Sequence, residues 1–272
     1  MVIDSAIAQE YLRTGICASC RVIDLHAHYG HFGGIYMPNH TPEQMLATME
    51  RCGVETIVSA GHTALVDMVR GNAEIAEIAA QYPGRWYAYL TYNPNYPDEG
   101  RRELELYESR VAFVGLKFHP SHHAYPLTGE RYRPALEFAA ARRLLVLTHT
   151  WGGSAYDRPE LLAQVAERYP EITFLAGHSG HGQFYECMEI ARRYANVYLE
   201  LTAAYAVRGL IEEMVDRVGA HKIVFGCDLP WFDPHYAIGC VVMTHIGEEA
   251  RRAILRENAA RLLAPRVRGR EG

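Results

Sequence analysis

Histidine occurs 14 times in the 272 residues, and its placement is uneven. His26 and His28 close one apolar run as an HxH pair, Lys117 and His119 close another, and His149, His178 and Asp228 each end a further one. Side chains alternate across a strand, so His26 and His28 point to the same side and can reach one ion. Taken alone the pair is weak evidence, because two exposed histidines at a loop start look the same. The ordered set is stronger: imidazoles and one carboxylate recur at strand ends where chance would scatter them. Neutral imidazoles with one carboxylate suit Zn2+ and also Mn2+ or Fe2+, so the residue types predict a divalent ion without naming it. Such an ion lowers the pKa of bound water from about 15.7 to about 7 and polarises a substrate oxygen.

The elements that must hold these groups follow from the pattern. Short β-branched or aromatic runs lie at 22–26, 54–60, 86–92, 111–118, 144–149, 172–177, 197–202 and 223–227, each followed by a longer segment with helical spacing. Phe184, Cys187, Met188 and Ala191 fall on one helical face. Thr41-Pro42-Glu43-Gln44 reads as a capping box with proline at the first helical position. Eight parallel units of this kind most simply close into a (β/α)8 barrel, the TIM barrel, whose active site lies at the carboxyl ends of the strands. A doubly wound open sheet is the alternative, but its dinucleotide form needs a GxGxxG turn where this chain has His26-Ala27-His28-Tyr29-Gly30. No linker or low-complexity stretch precedes the basic tail at 266–270, so one barrel domain over residues 1–272 is expected.

Composition excludes several classes. With 49% hydrophobic and 22% charged residues the chain is neither disordered nor fibrous. The 27 basic and 32 acidic residues give a net charge of −5 with no basic stripe, so nucleic acid is not an expected partner. Residues 1–13 carry Asp4 and Glu10 instead of a signal-peptide pattern, and no apolar run is long enough to span a bilayer. A soluble, cytoplasmic protein is expected. The six cysteines include only one CxxC pair, Cys17 and Cys20, and read as free thiols.

The chain resembles the amidohydrolase superfamily, within it the amidohydrolase-related group that includes aminocarboxymuconate semialdehyde decarboxylase and the resorcylate-type decarboxylases. The resemblance covers nearly the whole chain. It rests on Ile23-Asp24-Leu25-His26-Ala27-His28, Gly115-Leu116-Lys117-Phe118-His119-Pro120, Leu147-Thr148-His149, Ala176-Gly177-His178, Phe225-Gly226-Cys227-Asp228-Leu229-Pro230 and Glu257-Asn258-Ala259-Ala260-Arg261-Leu262-Leu263. It implies that His26, His28, His149 and Asp228 hold one divalent metal, most simply Zn2+. It also implies that His178 acts as acid or base. As a carboxylate touching the ion, Asp228 is in addition expected to accept the proton of the metal-bound water.

Other residues carry two readings each. Lys117 is either an ammonium that meets a substrate carboxylate or, as in some superfamily members, a carboxylated lysine bridging two metals. His119 is a candidate substrate contact, whereas His122 and His123 read as solvated loop imidazoles. Trp151, Tyr156, Tyr205, Arg208, Trp231 and Phe232 fall in loops that shape substrate pockets, with Trp151, Arg208 and Trp231 the expected substrate contacts. Glu200, inside the seventh run, needs a partner wherever it is buried. Asp24, two residues before His26, is expected on the histidines' face as a support, and Asn258 reads as a structural hydrogen-bonder.

The expected function is metal-dependent hydrolysis of a small organic acid, lactone, ester or amide through a metal-activated water. The alternative is non-oxidative decarboxylation of a small or aromatic acid at the same site. A lyase requires a cation to hold the substrate carboxylate, which makes Lys117 and Arg208 the discriminating side chains. A metal-binding barrel without catalysis is the third reading. Assembly as a homodimer is compatible with the sequence, although no interface stripe marks it.

Overall fold

Runs rich in Val, Ile, Leu and Phe become strands buried on both faces, and they form one parallel sheet in a computed structural model that describes residues 4–268. The strands are β1 (Val22–Tyr29), β2 (Val54–Gly61), β3 (Trp86–Thr91), β4 (Phe113–Phe118), β5 (Leu145–Trp151), β6 (Thr173–His181), β7 (Val197–Glu200) and β8 (Ile223–Val224). Neighbours in sequence are neighbours in the sheet throughout. Helices alternate with the strands, and Pro42, Pro97, Pro120, Pro159 and Pro234 each open one, where a missing N–H costs nothing. The capping box forms between Thr41 and Gln44. The architecture is a (β/α)8 TIM barrel.

β8 is shorter than the run that predicts it, and the reason lies in how the barrel closes. After Val224 the chain leaves β7 and bonds across to β1: Leu25 N–H donates to Phe225 O at 3.0 Å, Asp228 N–H to His26 O at 2.8 Å and His28 N–H to Leu229 O at 2.7 Å. This seam joins the first strand to the last and carries His26, His28 and Asp228 together.

Two apolar layers result. One packs the strands against the helices, and a smaller one fills the barrel with Ile23, Leu25, Val58, Tyr89, Leu145, Leu147 and Leu175 among others. Ala259, Leu262 and Leu263 of the helix Asn258–Leu263 join the inner layer. Asn258 anchors that helix under β8, its Nδ2 donating to Ala220 O and Ile223 O at 2.8 Å each. One barrel end is thereby plugged, and the site occupies the other. Arg266 and Arg268 of the basic tail bond to backbone carbonyls, whereas its last two residues lie outside the described ones. Among the described residues no helix is long and apolar enough to cross a membrane.

Candidate active site

Alternation alone would send Leu25 and His26 to opposite faces, yet β1 changes phase between them. Asp24 pairs with Ile57 and Ala27 with Ser59, so β1 carries one residue more than β2 there, a β-bulge. Leu25 lies in the inner layer and Ala27 in the outer one, which leaves both His26 and His28 facing inward. The same shift corrects the expectation for Asp24. Its carboxylate faces outward, accepting from the His26 backbone N–H at 2.8 Å and from Cys227 Sγ at 2.9 Å, and supports the strand instead of a ring.

At the mouth, Asp228 Oδ1 lies 3.2 Å from His26 Nε2 and 3.3 Å from His28 Nε2. Glu200 sits beneath. Its Oε1 accepts from Thr202 N and Thr202 Oγ1, and its Oε2 from His178 N. With those donors satisfied, the carboxylate acts as acceptor, so His26 Nδ1, 2.7 Å from Oε2, carries the hydrogen. His26 Nε2 is then a lone pair turned to the mouth, where Lys117 Nζ approaches it at 2.9 Å. His149 is oriented likewise: its Nδ1–H donates to Asp157 Oδ2 at 2.7 Å, and Asp157 also accepts from Ser121 Oγ.

His26, His28 and Asp228 form one group of ligand atoms within 4.8 Å of one another, while His149 falls in an adjacent group with His119 and Asp157. The rings of His149 and His178 are 4.7 Å apart and those of His26 and His178 5.1 Å, so His178 stands between the two groups. Non-glycine residues rarely tolerate positive φ, yet His178 has φ 65° and Asp228 φ 60°. The bonds from His178 N to Glu200 and from Asp228 N to His26 O hold these strained turns and aim both side chains inward.

Burial sets the charges. It holds His26 and His178 well below the ordinary imidazole value and brings Lys117 down to about 8. Burial pushes Asp228 up, but His26, the contact with His28 and His178 outweigh it and keep the carboxyl well below its usual range. Neutral rings, an ionised carboxylate and one ammonium are therefore present together near neutral pH.

The cavity above them measures about 400 Å3, within the usual range for small-molecule sites. Lys117, His119, Trp151 and Trp231 line it with the four candidate ligands and His178. Arg208 is not among the lining residues. It follows the turn Ala204–Ala206 and faces a separate groove with Glu212 and His245. His122 lines the cavity, whereas His123 is buried beside it with Nε2 on Leu65 O. Sequence reasoning missed His62, stacked on His28 at 4.5 Å, and Asp157, which has no motif around it. It also missed Phe32, Ile35 and Met37, whose apolar side chains in the loop after β1 wall the cavity.

A family model described as amidohydrolase matches residues 23–264. The chain belongs to the amidohydrolase family. The amidohydrolase is 23% identical over 280 residues to the gamma-resorcylate decarboxylase of Polaromonas sp. strain JS666, covering 83% of this chain and 84% of that enzyme. Its fold matches a 2,6-dihydroxybenzoate decarboxylase complexed with 2,6-dihydroxybenzoate, with a TM-score of 0.73 at 18% identity over 89% of this chain and 99% of that one. It also matches the 5-carboxyvanillate decarboxylase of Novosphingobium aromaticivorans complexed with manganese and 4-hydroxy-3-methoxy-5-nitrobenzoic acid. That TM-score is 0.70 at 12% identity, over 89% and 96% of the two chains.

The donor set of this amidohydrolase suits a divalent ion on its own evidence. Asp228 Oδ1 and the Nδ1 atoms of His28 and His178 are buried without a hydrogen-bond partner. A carboxylate oxygen facing an imidazole lone pair is costly unless a cation lies between them. His26, His28 and Asp228 would hold that ion, with His149 the next donor around the mouth. When bound, the ion supplies a Lewis acid for a substrate oxygen or water.

Proposed function

We propose that this amidohydrolase is a metal-dependent, non-oxidative decarboxylase of a small planar aromatic acid. The observation that carries the reading is Lys117, a fully buried ammonium on the cavity floor, 2.9 Å from His26 Nε2. A carboxylate entering the cavity meets that fixed cation, and Arg208 does not compete because it faces another groove. Phe32, Ile35, Met37, Leu65, Trp151 and Trp231 give the lining an apolar, partly aromatic wall, which suits a flat ring held carboxylate-first. The named decarboxylases among the relatives support the same choice.

In this reading Lys117 orients the substrate carboxylate, and the tryptophans keep the ring planar against the floor. His178, neutral in the free site, takes the proton of a ring hydroxyl of the substrate and passes it to the ring carbon bearing the carboxylate. The bond to the carboxylate then breaks, its electron pair returns to the ring as CO2 departs, His178 is left neutral again, and the hydroxyl oxygen regains a proton from solvent. His62 and His28, stacked in parallel, close the wall behind. The metal is Zn2+ or Mn2+, the latter supported by the manganese in the carboxyvanillate enzyme.

Hydrolysis is the second reading, favoured by the orphaned Asp228 Oδ1, an acceptor placed to take a proton from a water. One experiment separates the two. The metal-loaded protein is offered hydroxybenzoic acids, lactones and amides, with CO2 and hydrolysis products followed separately. CO2 release from a hydroxybenzoic acid supports the decarboxylase, whereas hydrolysis without CO2 overturns it.

A further inference from the structure

The segment after β8 that carries Asp228 and Trp231 runs into the helix Pro234–Val242, and three different ligand types converge at that junction. Cys52 ends the helix Pro42–Cys52 and places Sγ 3.7 Å from Asp233 Oδ1. His235 Nδ1 lies 3.8 Å from the same oxygen. The three ligand atoms all fall within 4.8 Å of one another. A tetrahedral ion with bonds of about 2.3 Å to sulfur and about 2.0 Å to nitrogen or oxygen needs ligand atoms roughly 3.3–3.5 Å apart. The pairs measured here exceed that by a few tenths of an ångström.

Orientation agrees with spacing. His235 Nε2–H donates to the Arg51 carbonyl at 3.1 Å, which leaves the lone pair on Nδ1, the atom facing Asp233. The Asp233 side chain is 55% exposed and that of His235 34%, so an ion reaches them from solvent, while Cys52 is buried behind them. Asp233 Oδ1 also accepts from His235 N at 2.9 Å, and Arg51 Nη2 lies 3.7 Å from Oδ2. The group contains a thiol, which the barrel mouth lacks.

We infer that Cys52, Asp233 and His235 bind a thiophilic divalent cation such as Zn2+, as thiolate, carboxylate and imidazole, with the fourth position open to water. The thiol gives its proton to solvent on binding. The ion ties the end of one helix to the start of another and thereby pins the segment holding Asp228 and Trp231.

Titrating the metal-free protein with Co2+ alone, and recording the near-ultraviolet thiolate-to-cobalt absorption, reads this site apart from the barrel mouth. The band is expected to saturate in the wild type, to persist in His26→Ala, and to vanish in Cys52→Ser. His235→Gln, at a partly exposed position, is expected to keep the fold by circular dichroism and to weaken Co2+ binding at this band at least about tenfold. No band in the wild type, a band unchanged in Cys52→Ser, or unchanged affinity in His235→Gln overturns the assignment.

Discussion

His26 Nδ1 and Glu200 Oε2 are 2.7 Å apart, and both side chains are fully buried. Glu200 thereby fixes which nitrogen of His26 carries the proton, and the free lone pair points at Asp228. Glu200→Gln removes the negative charge and offers an amide where an acceptor is needed. Metal affinity is expected to fall about 10–100-fold with the fold retained, measured by competition with a chromophoric chelator. Unchanged affinity would show that the pair is only structural.

Removing a proposed ligand differs from removing the proposed acid. His26→Ala and Asp228→Ala are expected to lower metal content sharply by elemental analysis. His178→Ala is expected to keep its metal and lose turnover. A His178→Ala protein that turns over normally would remove His178 from the chemistry.

The Lys117 ammonium, brought down to about 8 mainly by burial, is charged below that pH and loses its proton above it. For a carboxylate substrate, kcat/KM is expected to be level below about pH 8 and to fall roughly tenfold per unit above it. Lys117→Arg keeps its charge across this range, so that falling limb should disappear even where the rate is lower. A limb that persists in Lys117→Arg belongs to another group.

The strands and the groups at their ends were legible because each βα unit repeats the same apolar run and the same polar stop. What escaped the reading depends on backbone geometry that residue types do not encode. The bulge after Asp24 turned that carboxylate away from the histidines, and no spacing rule marks a bulge. Glu200 showed only that it needed a partner, since whether it faced inward depended on where β7 sat. Arg208 looked well placed in sequence, yet the turn at Ala204–Ala206 carries it to another groove. His62 and Asp157 gave no signal, because single residues in loops acquire meaning only from what they touch.

Gly226 sits where any Cβ would collide with the Glu200 carboxylate and approach His26 Cβ to 2.7 Å. Neither neighbour can withdraw without breaking the pair. Gly226→Ala is expected to cost about 1–3 kcal/mol in urea unfolding and to lower metal content with it. Gly34→Ala, whose new atom meets nothing nearer than 3.8 Å, is the neutral control.

The seam between β1 and the residues after β8 carries a consequence for biosynthesis. His26 and His28 leave the ribosome about 200 residues before Asp228. A nascent polypeptide therefore has no complete candidate cage until the first strand and the segment after the eighth have met. Loading of the proposed ion would report that the ring has shut, and a chain cut off before its eighth strand would be unable to retain one.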